Sequence, residues 1–356
     1  MIKLLIYRVV IAIFLMQPVV SFASQSLEEK IRQLEEKIGQ LESLTGQGKG
    51  ATVELYGSVR TLFEAASIEQ GTSDLTTTDF QNAESRLGLR IAAKPASDWS
   101  VQFRGEWNLD GSDEGNFGSG RLSYIELENK DWGRFAFGRQ WTGFYQVIGA
   151  PLDTANNGSL GGFDAIGAPD RLGNLLTYNR TVDLLGKPLS IQVDGEFSGE
   201  DGAKDTLESY AFSSSLDLSE YLFGLSYGKY YEDGEAANLL GLSAGYQNRK
   251  IFVSTSYILK SVGEFKPSAF DLSVLYSKGK DKLLGKVYLY NSYQKGSASQ
   301  DALGFLLSLQ HQLNDQLRLW GEVGYTDSEG DALSDDDRTK YYASLGVRFD
   351  FSVGLN

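Results

Sequence analysis

From residue 53 to residue 351 this chain keeps returning to one pattern, an apolar side chain at every second position over eight to a dozen residues. The clearest runs are Trp99-Val101-Phe103-Gly105-Trp107-Leu109, Leu189-Ile191-Val193-Gly195-Phe197 and Ile251-Val253-Thr255-Tyr257-Leu259. Two more are Leu317-Leu319-Gly321-Val323-Tyr325 and Tyr341-Ala343-Leu345-Val347-Phe349-Phe351. The residues between are polar or small: Ser100, Gln102, Arg104, Glu106 and Asn108 in the first run. A strand turns successive side chains to opposite faces, so each run predicts a strand greasy on one face and wet on the other.

About sixteen such runs can be counted, near 53–65, 85–94, 99–109, 121–128, 133–139, 171–182, 188–198, 207–218, 221–231, 237–248, 250–260, 268–278, 283–293, 302–313, 316–327 and 339–351. Short connections, at 95–98, 129–131 and 314–315, alternate with longer ones, at 67–84, 110–120, 140–170 and 328–338. A soluble sandwich does not repeat hairpins of about 19 residues per strand this often. Nor does it end its outward faces in aromatics, as Tyr246, Tyr257, Tyr276, Tyr325, Tyr341 and Phe351 do here. Lipid-facing barrels have both features, with short periplasmic turns and long external loops. Closure leaves no sheet edge in lipid, where unpaired backbone groups are costly. The expected fold is all-β, a transmembrane antiparallel β-barrel of about sixteen strands over residues 53–351.

The address agrees. Lys3 and Arg8, the apolar stretch Val9 to Met16 and Ser21-Phe22-Ala23 predict a secretory signal over residues 1–23. That stretch is too short to span a membrane as a helix, and no later segment comes closer. The chain has no Cys, which excludes a disulfide framework and a thiolate metal site. A formal net charge of −14 excludes the basic footprint of a nucleic-acid binder. Neither a cofactor nor a metal site is expected.

Residues 24–45 are different material. Leu27, Ile31, Leu34, Ile38 and Leu41 follow the a/d spacing of a coiled coil, with Glu28, Glu35 and Glu42 beside the seam. A helix this short is marginal alone, so partner copies are expected; a single amphipathic helix on the barrel rim is the alternative. Residues 46–52 form a Gly-rich linker, and 352–356 a short extension beyond the last run.

One connection stands apart. GRQWTGFYQVIGAPLD, from Gly138, opens a loop over 140–170 with six Gly between Gly143 and Gly167. A loop of about thirty residues is unusual in a compact domain. Trp141, Phe144, Tyr145, Val147, Ile148, Leu152, Phe163 and Ile166 mark it as a packed segment, expected to fold into the barrel and narrow it. Together with RLGNLLTYNR after it, this stretch resembles the constriction-loop region of Gram-negative general porins. The resemblance implies a homotrimer in outer-membrane lipid, passing ions and small hydrophilic solutes by passive diffusion. It also implies a transverse charge pattern, basic wall against acidic loop.

Apolar parity turns Arg60, Arg86, Arg90, Arg104, Glu106, Arg318 and Arg348 inward. Arg60, Arg86, Arg90 and Arg104 lie on successive early strands and could form a ladder on one wall. From the resemblance, that ladder faces Asp153, Asp164 and Asp170, with Arg139 and Arg171 at the loop ends. A charge about 8 Å from a passing ion is worth roughly 0.5 kcal/mol in water, so the expected selectivity is mild and weakens with salt. The external acidic runs, Asp110, Asp113 and Glu114, then Asp327, Glu329, Asp331 and Asp335 to Asp337, read as solvated surface or as a divalent-cation bridge to lipid headgroups.

Two sequences imitate a hydrolase nucleophile: Gly224-Leu-Ser226-Tyr-Gly228 and Gly241-Leu-Ser243-Ala-Gly245. Both lie in strand-period runs and the sole His is His311, so no enzyme is expected. Beside the diffusion channel stand two other readings. One is a channel selective for a sugar, dicarboxylate or phosphate. The other is a structural barrel tethering the envelope through a periplasmic or cell-wall contact of residues 24–45.

Overall fold

The structure, a computed structural model, describes Arg32, Glu36 and residues 50–70, 73–110, 117–156, 161–197, 207–232, 235–292, 300–329 and 338–355. The expected signal segment, the coiled-coil seam and most of the linker lie outside the described residues.

Seventeen strand segments make a single sheet. They are β1 (Thr52–Gln70), β2 (Ser73–Asn82), β3 (Arg86–Ala96), β4 (Trp99–Leu109), β5 (Phe117–Asn129), β6 (Gly133–Trp141), β7 (Arg171–Leu184) and β8 (Lys187–Phe197). There follow β9 (Leu207–Asp217), β10 (Tyr221–Glu232), β11 (Glu235–Gln247), β12 (Ile251–Val262) and β13 (Ser268–Lys278). The last are β14 (Asp281–Ser292), β15 (Gln300–Gln312), β16 (Leu317–Glu329) and β17 (Arg338–Leu355). The staves pair antiparallel with their sequence neighbours from β3 to β17, and β1 pairs with β17 from Val53↔Leu355 to Gln70↔Arg338, which closes the barrel. β2 and β3 run along the same neighbour, β1, so seventeen segments give a closed barrel of 16 strands.

The stretch 67–84, expected as an external loop, is mostly sheet. β1 runs on to Gln70 and β2 returns beside it. Thr61 faces Asn82 while Ser58 faces Arg86, so three steps on β1 span four on its partner. This is a one-residue bulge. Glu84 takes a positive φ of 62° there, and the Ser85 hydroxyl repairs the ladder, accepting from Arg60 N at 2.8 Å and donating to Arg60 O at 3.0 Å. The extra residue moves the inward parity from even numbers in β3 to odd numbers in β2, and β2 itself offers a period-2 reading only Leu75 and Phe80, which differ in parity. At the other end, Ser352 to Leu355 are not set apart: they continue β17 against Val53 to Tyr56.

Outward positions carry the apolar load. Phe103, Ile125, Phe137, Val193, Phe212, Leu225, Leu242, Leu259, Leu289, Leu307, Val323 and Leu345 are all exposed. A large contiguous apolar surface is foreign to a soluble monomer and suits a hydrocarbon solvent. Tyrosines pair across neighbouring strands toward the two ends, Tyr221 with Tyr246 at 5.2 Å and Tyr325 with Tyr341 at 5.0 Å. Tight turns at 97–98, 130–132, 185–186, 218–220, 248–250, 279–280 and 313–316 share one end with both barrel termini, and the long connections share the other.

Candidate functional site

Within the wall, the segment between β6 and β7 folds inward. Its neck is tied by Thr142, whose N–H donates to Asp170 O at 2.9 Å and whose hydroxyl donates to Pro169 O at 2.8 Å. Helical turns follow at Tyr145–Gly149, Ala150–Leu152 and Gly162–Ala165. They lie against β9 to β14, and the loop's backbone also reaches β8 and β16, so the loop hugs that side of the barrel and leaves the side around β1 and β3 to β7 open. Phe144, Ile148, Phe163 and Ile166 bury themselves against Ala211, Leu239, Ile258, Ala269 and Tyr288 of the wall. Each large apolar side chain so buried contributes about 1.5–3 kcal/mol, which is what holds a Gly-rich segment in place.

Both hydrolase-like sequences belong to this seam. On Gly224, a Cβ would come within 2.5 Å of Val147; on Gly241, within 2.7 Å of Ile148 and 2.9 Å of Phe144. The two glycines are notches that receive the loop. Ser243 donates to Val147 O at 2.8 Å, and Ser226 shares a 2.7 Å hydrogen bond with Ser213. His311 instead meets Asp281, at 2.7 Å. Gly241→Val is expected to force the loop off its seat, destabilising the barrel by about 1–3 kcal/mol and raising open-channel current noise; a variant with wild-type melting and a quiet current would contradict the seating.

Two buried carboxylates pin the loop's backbone. Asp194 of β8 accepts from Gly143 N at 2.6 Å, and Asp271 of β13 accepts from Gly162 N at 2.7 Å. Ser254 donates to Pro151 O at 2.7 Å, and Lys260 donates to Ile166 O at 3.0 Å. Lys286, also buried, lies within the field of Asp271. Asp271→Ala would strand the Gly162 N–H and leave Lys286 without that countercharge. The expected loss is about 3 kcal/mol or more, read as a lowered midpoint of unfolding in detergent.

The open side is a cavity of about 670 Å³. Its wall carries Arg86, Arg90, Arg104, Arg121, Arg134 and Arg348 with Glu54, Glu106, Glu126 and Asp350, and Asp153 faces them from the loop. The arginines are braced by these acids. Arg104 and Arg121 both reach Glu106, at 3.1 and 2.9 Å, and Arg134 lies 3.6 Å from Glu126. Tyr56 stands between Arg90 and Arg104, each 5.3 Å from its ring centroid, and takes the Arg104 Nε–H at 2.7 Å. Such bracing fixes rigid guanidinium groups around the water path.

A smaller space of about 90 Å³ lies at the loop itself, lined by Asp153, Asp164, Asp170, Arg171, Arg121 and Lys286 among others. Tyr145 donates its hydroxyl to Asp153 at 2.8 Å; burial, and then that carboxylate, push the Tyr145 hydroxyl pKa up, keeping it a donor. Trp141 stacks on Tyr145 at 4.3 Å, with Arg171 4.7 Å and Arg121 6.0 Å from its ring.

Of the residues expected at the site, Arg86, Arg90 and Arg104 line the main cavity, Asp153 lines both spaces, and Asp164, Asp170 and Arg171 line the smaller one. Arg171 pairs with Asp170 at 2.7 Å. Arg60 is inward but buried, with its Nε on Ser58 at 2.9 Å, and it does not line the cavity. Arg139 is the misplacement. It shares parity with the exposed Phe137 and donates to Gly120 O at 3.1 Å, outside the passage. Arg121 and Arg134 were missed. Arg121 sits after Gly118-Ser119-Gly120, where two irregularities in the β4–β5 register erase the alternation that exposes its neighbours in sequence.

A family model described as Gram-negative porin matches residues 21–331. Among solved structures, the chain is similar to an anion-selective porin from Comamonas acidovorans at 17% identity and TM-score 0.69, covering 85% of this chain and 100% of that one. It is similar to Salmonella typhi OmpF, in complex with daunomycin, at 16% identity and TM-score 0.65, covering 84% and 97%. OmpT of Vibrio cholerae, folded in vitro and described as a trimer form, matches at 15% identity and TM-score 0.67, covering 85% and 100%. At these identities the structural likeness shows the fold. No curated protein matches the sequence.

Proposed function

The chain belongs to the Gram-negative porin family, and from that premise we propose that loop 142–170 and the arginine wall act together as its size and charge filter. The protein is an outer-membrane channel for passive diffusion of ions and small hydrophilic solutes. Family and fold are those of a channel rather than an enzyme. The observation that carries the filter is the charge census of the main cavity, six arginines against five carboxylates, with Asp153 on the loop opposite the wall. Arrayed this way the field runs across the passage, so permeant ions separate by sign and net selectivity is slight.

The small surplus of cations around the main cavity favours anions there, while the acidic external loops favour cations at the mouth. The Comamonas relative is described as anion-selective, which supports the same sign here. The trimer form of the Vibrio relative supports a homotrimer. Gly50 and β1 begin at the short-turn, periplasmic end, and that supports a periplasmic place for residues 24–45, where three copies could meet in a coiled coil. Planar-bilayer recording across a ten-fold KCl gradient tests the filter. A small reversal potential of the sign given by anions, shrinking as salt rises, is expected, and one of cation sign would overturn it.

A further inference from the structure

On the periplasmic side of the loop, the wall carries a row of charge of which the filter uses only Arg348 and Asp350. Arg318 on β16 stands directly opposite Arg348 on β17, which stands directly opposite Arg60 on β1. Lys282, one residue past the start of β14, lies within the field of Arg318 and Arg348. Like charges placed directly opposite across a ladder destabilise a sheet, so three arginines in register need a counterion. The row has one ion pair among the described residues, from Arg348 Nε to Asp350 at 2.8 Å. Arg60 and Arg318 each give their Nε to a neutral group, Ser58 at 2.9 Å and Gln312 at 3.0 Å.

Water reaches the row, because Arg348 and Asp350 line the main cavity. On its external side the same wall is sealed. Leu62, Ala83 and Trp320 are buried together, and the loop's Asn156 N–H reaches Glu322 at 3.2 Å. The cations therefore form a shelf under the loop, beside the periplasmic turns at 279–280 and 313–316. Four cations face Asp350 and, at Arg60, Glu84, which leaves a charge that a single chloride would not balance. Guanidinium forks match the paired oxygens of phosphate or carboxylate, whereas a spherical halide gains nothing from that geometry.

We propose that Arg318, Arg348 and Lys282, backed by the buried Arg60, bind a multivalent oxyanion, of phosphate or small polycarboxylate type, at the periplasmic exit of the channel. The site rests on the diffusion-channel reading and adds to it a resting place for one class of solute.

The probe is inorganic phosphate, added to one side at a time of single channels of the purified full-length protein in dilute KCl. A saturable fall in KCl current is expected, stronger from the side bearing the short turns. In Arg318→Gln the apparent affinity should drop about ten-fold, the effect of removing one unit charge about 5 Å from a dianion, and Lys282→Gln should lower it further. Calorimetric titration of phosphate into the detergent-solubilised variants reads the same loss without requiring them to insert in a bilayer. A conducting channel whose current changes without saturation, or whose variants bind phosphate as well as the parent, overturns the site alone. A protein that forms no conducting pore overturns the channel reading and the site together.

Discussion

Single-channel conductance is expected to rise about two-fold or more when residues 144–166 are replaced by a short Gly-Ser link. The neck makes the experiment clean, because Thr142 and Asp170 already lie within one hydrogen bond of each other, at 2.9 Å, and a brief link spans them without pulling on β6 or β7. Removing the loop opens the side of the lumen lined by β9 to β14. It also bares Leu239, Ile258, Ala269 and Tyr288 to water, so the melting temperature should fall as conductance rises. Conductance at the wild-type level would mean that the loop does not occupy the water path.

The second large effect is electrical. Replacing Arg86 and Arg90 with Glu turns six arginines against five carboxylates into four against seven around the main cavity. Arg86 is the better placed of the two, facing Ser58 and Asn108 across its ladders rather than a carboxylate. Arg90 pairs with Glu54, and its reversal sets two carboxylates side by side. At low ionic strength each charge reversed within about 8 Å of the ion path is worth roughly 1 kcal/mol, so the cation-to-anion permeability ratio should rise about ten-fold or more and the reversal potential should change sign. At 1 M salt the Debye length is about 3 Å and most of the change should vanish. An unmoved reversal potential would remove both residues from the ion path.

Much of the wall was legible because one physical demand repeats along it. Lipid outside and water inside impose alternation on every stave, and each expected run corresponds to a stave of the barrel. The failures cluster where that period is missing or broken. Residues 73–82 read as loop because they carry only two large apolar side chains, Leu75 and Phe80, five residues apart and so out of phase. Arg121 is not legible at the irregular start of β5, and Arg139, expected at the passage from the resemblance, points outward by its parity. The loop's inward course was legible from its aromatics, but its anchors were not. Asp194 and Asp271 look like any lumen-facing polar residue until the loop's N–H groups are found on them.

The sequence by itself determined the barrel, its sidedness and the presence of a packed insert, because those follow from local periodicity, turn length and the apolar content of one segment. Only the tertiary structure decided which side of the lumen the insert fills, since that depends on notches at Gly224 and Gly241 and on carboxylates from strands far away in the chain. The charge pattern was settled at the same level. Whether two arginines face one another is a matter of strand register, which a single bulge shifts by one residue and which no local stretch of sequence records.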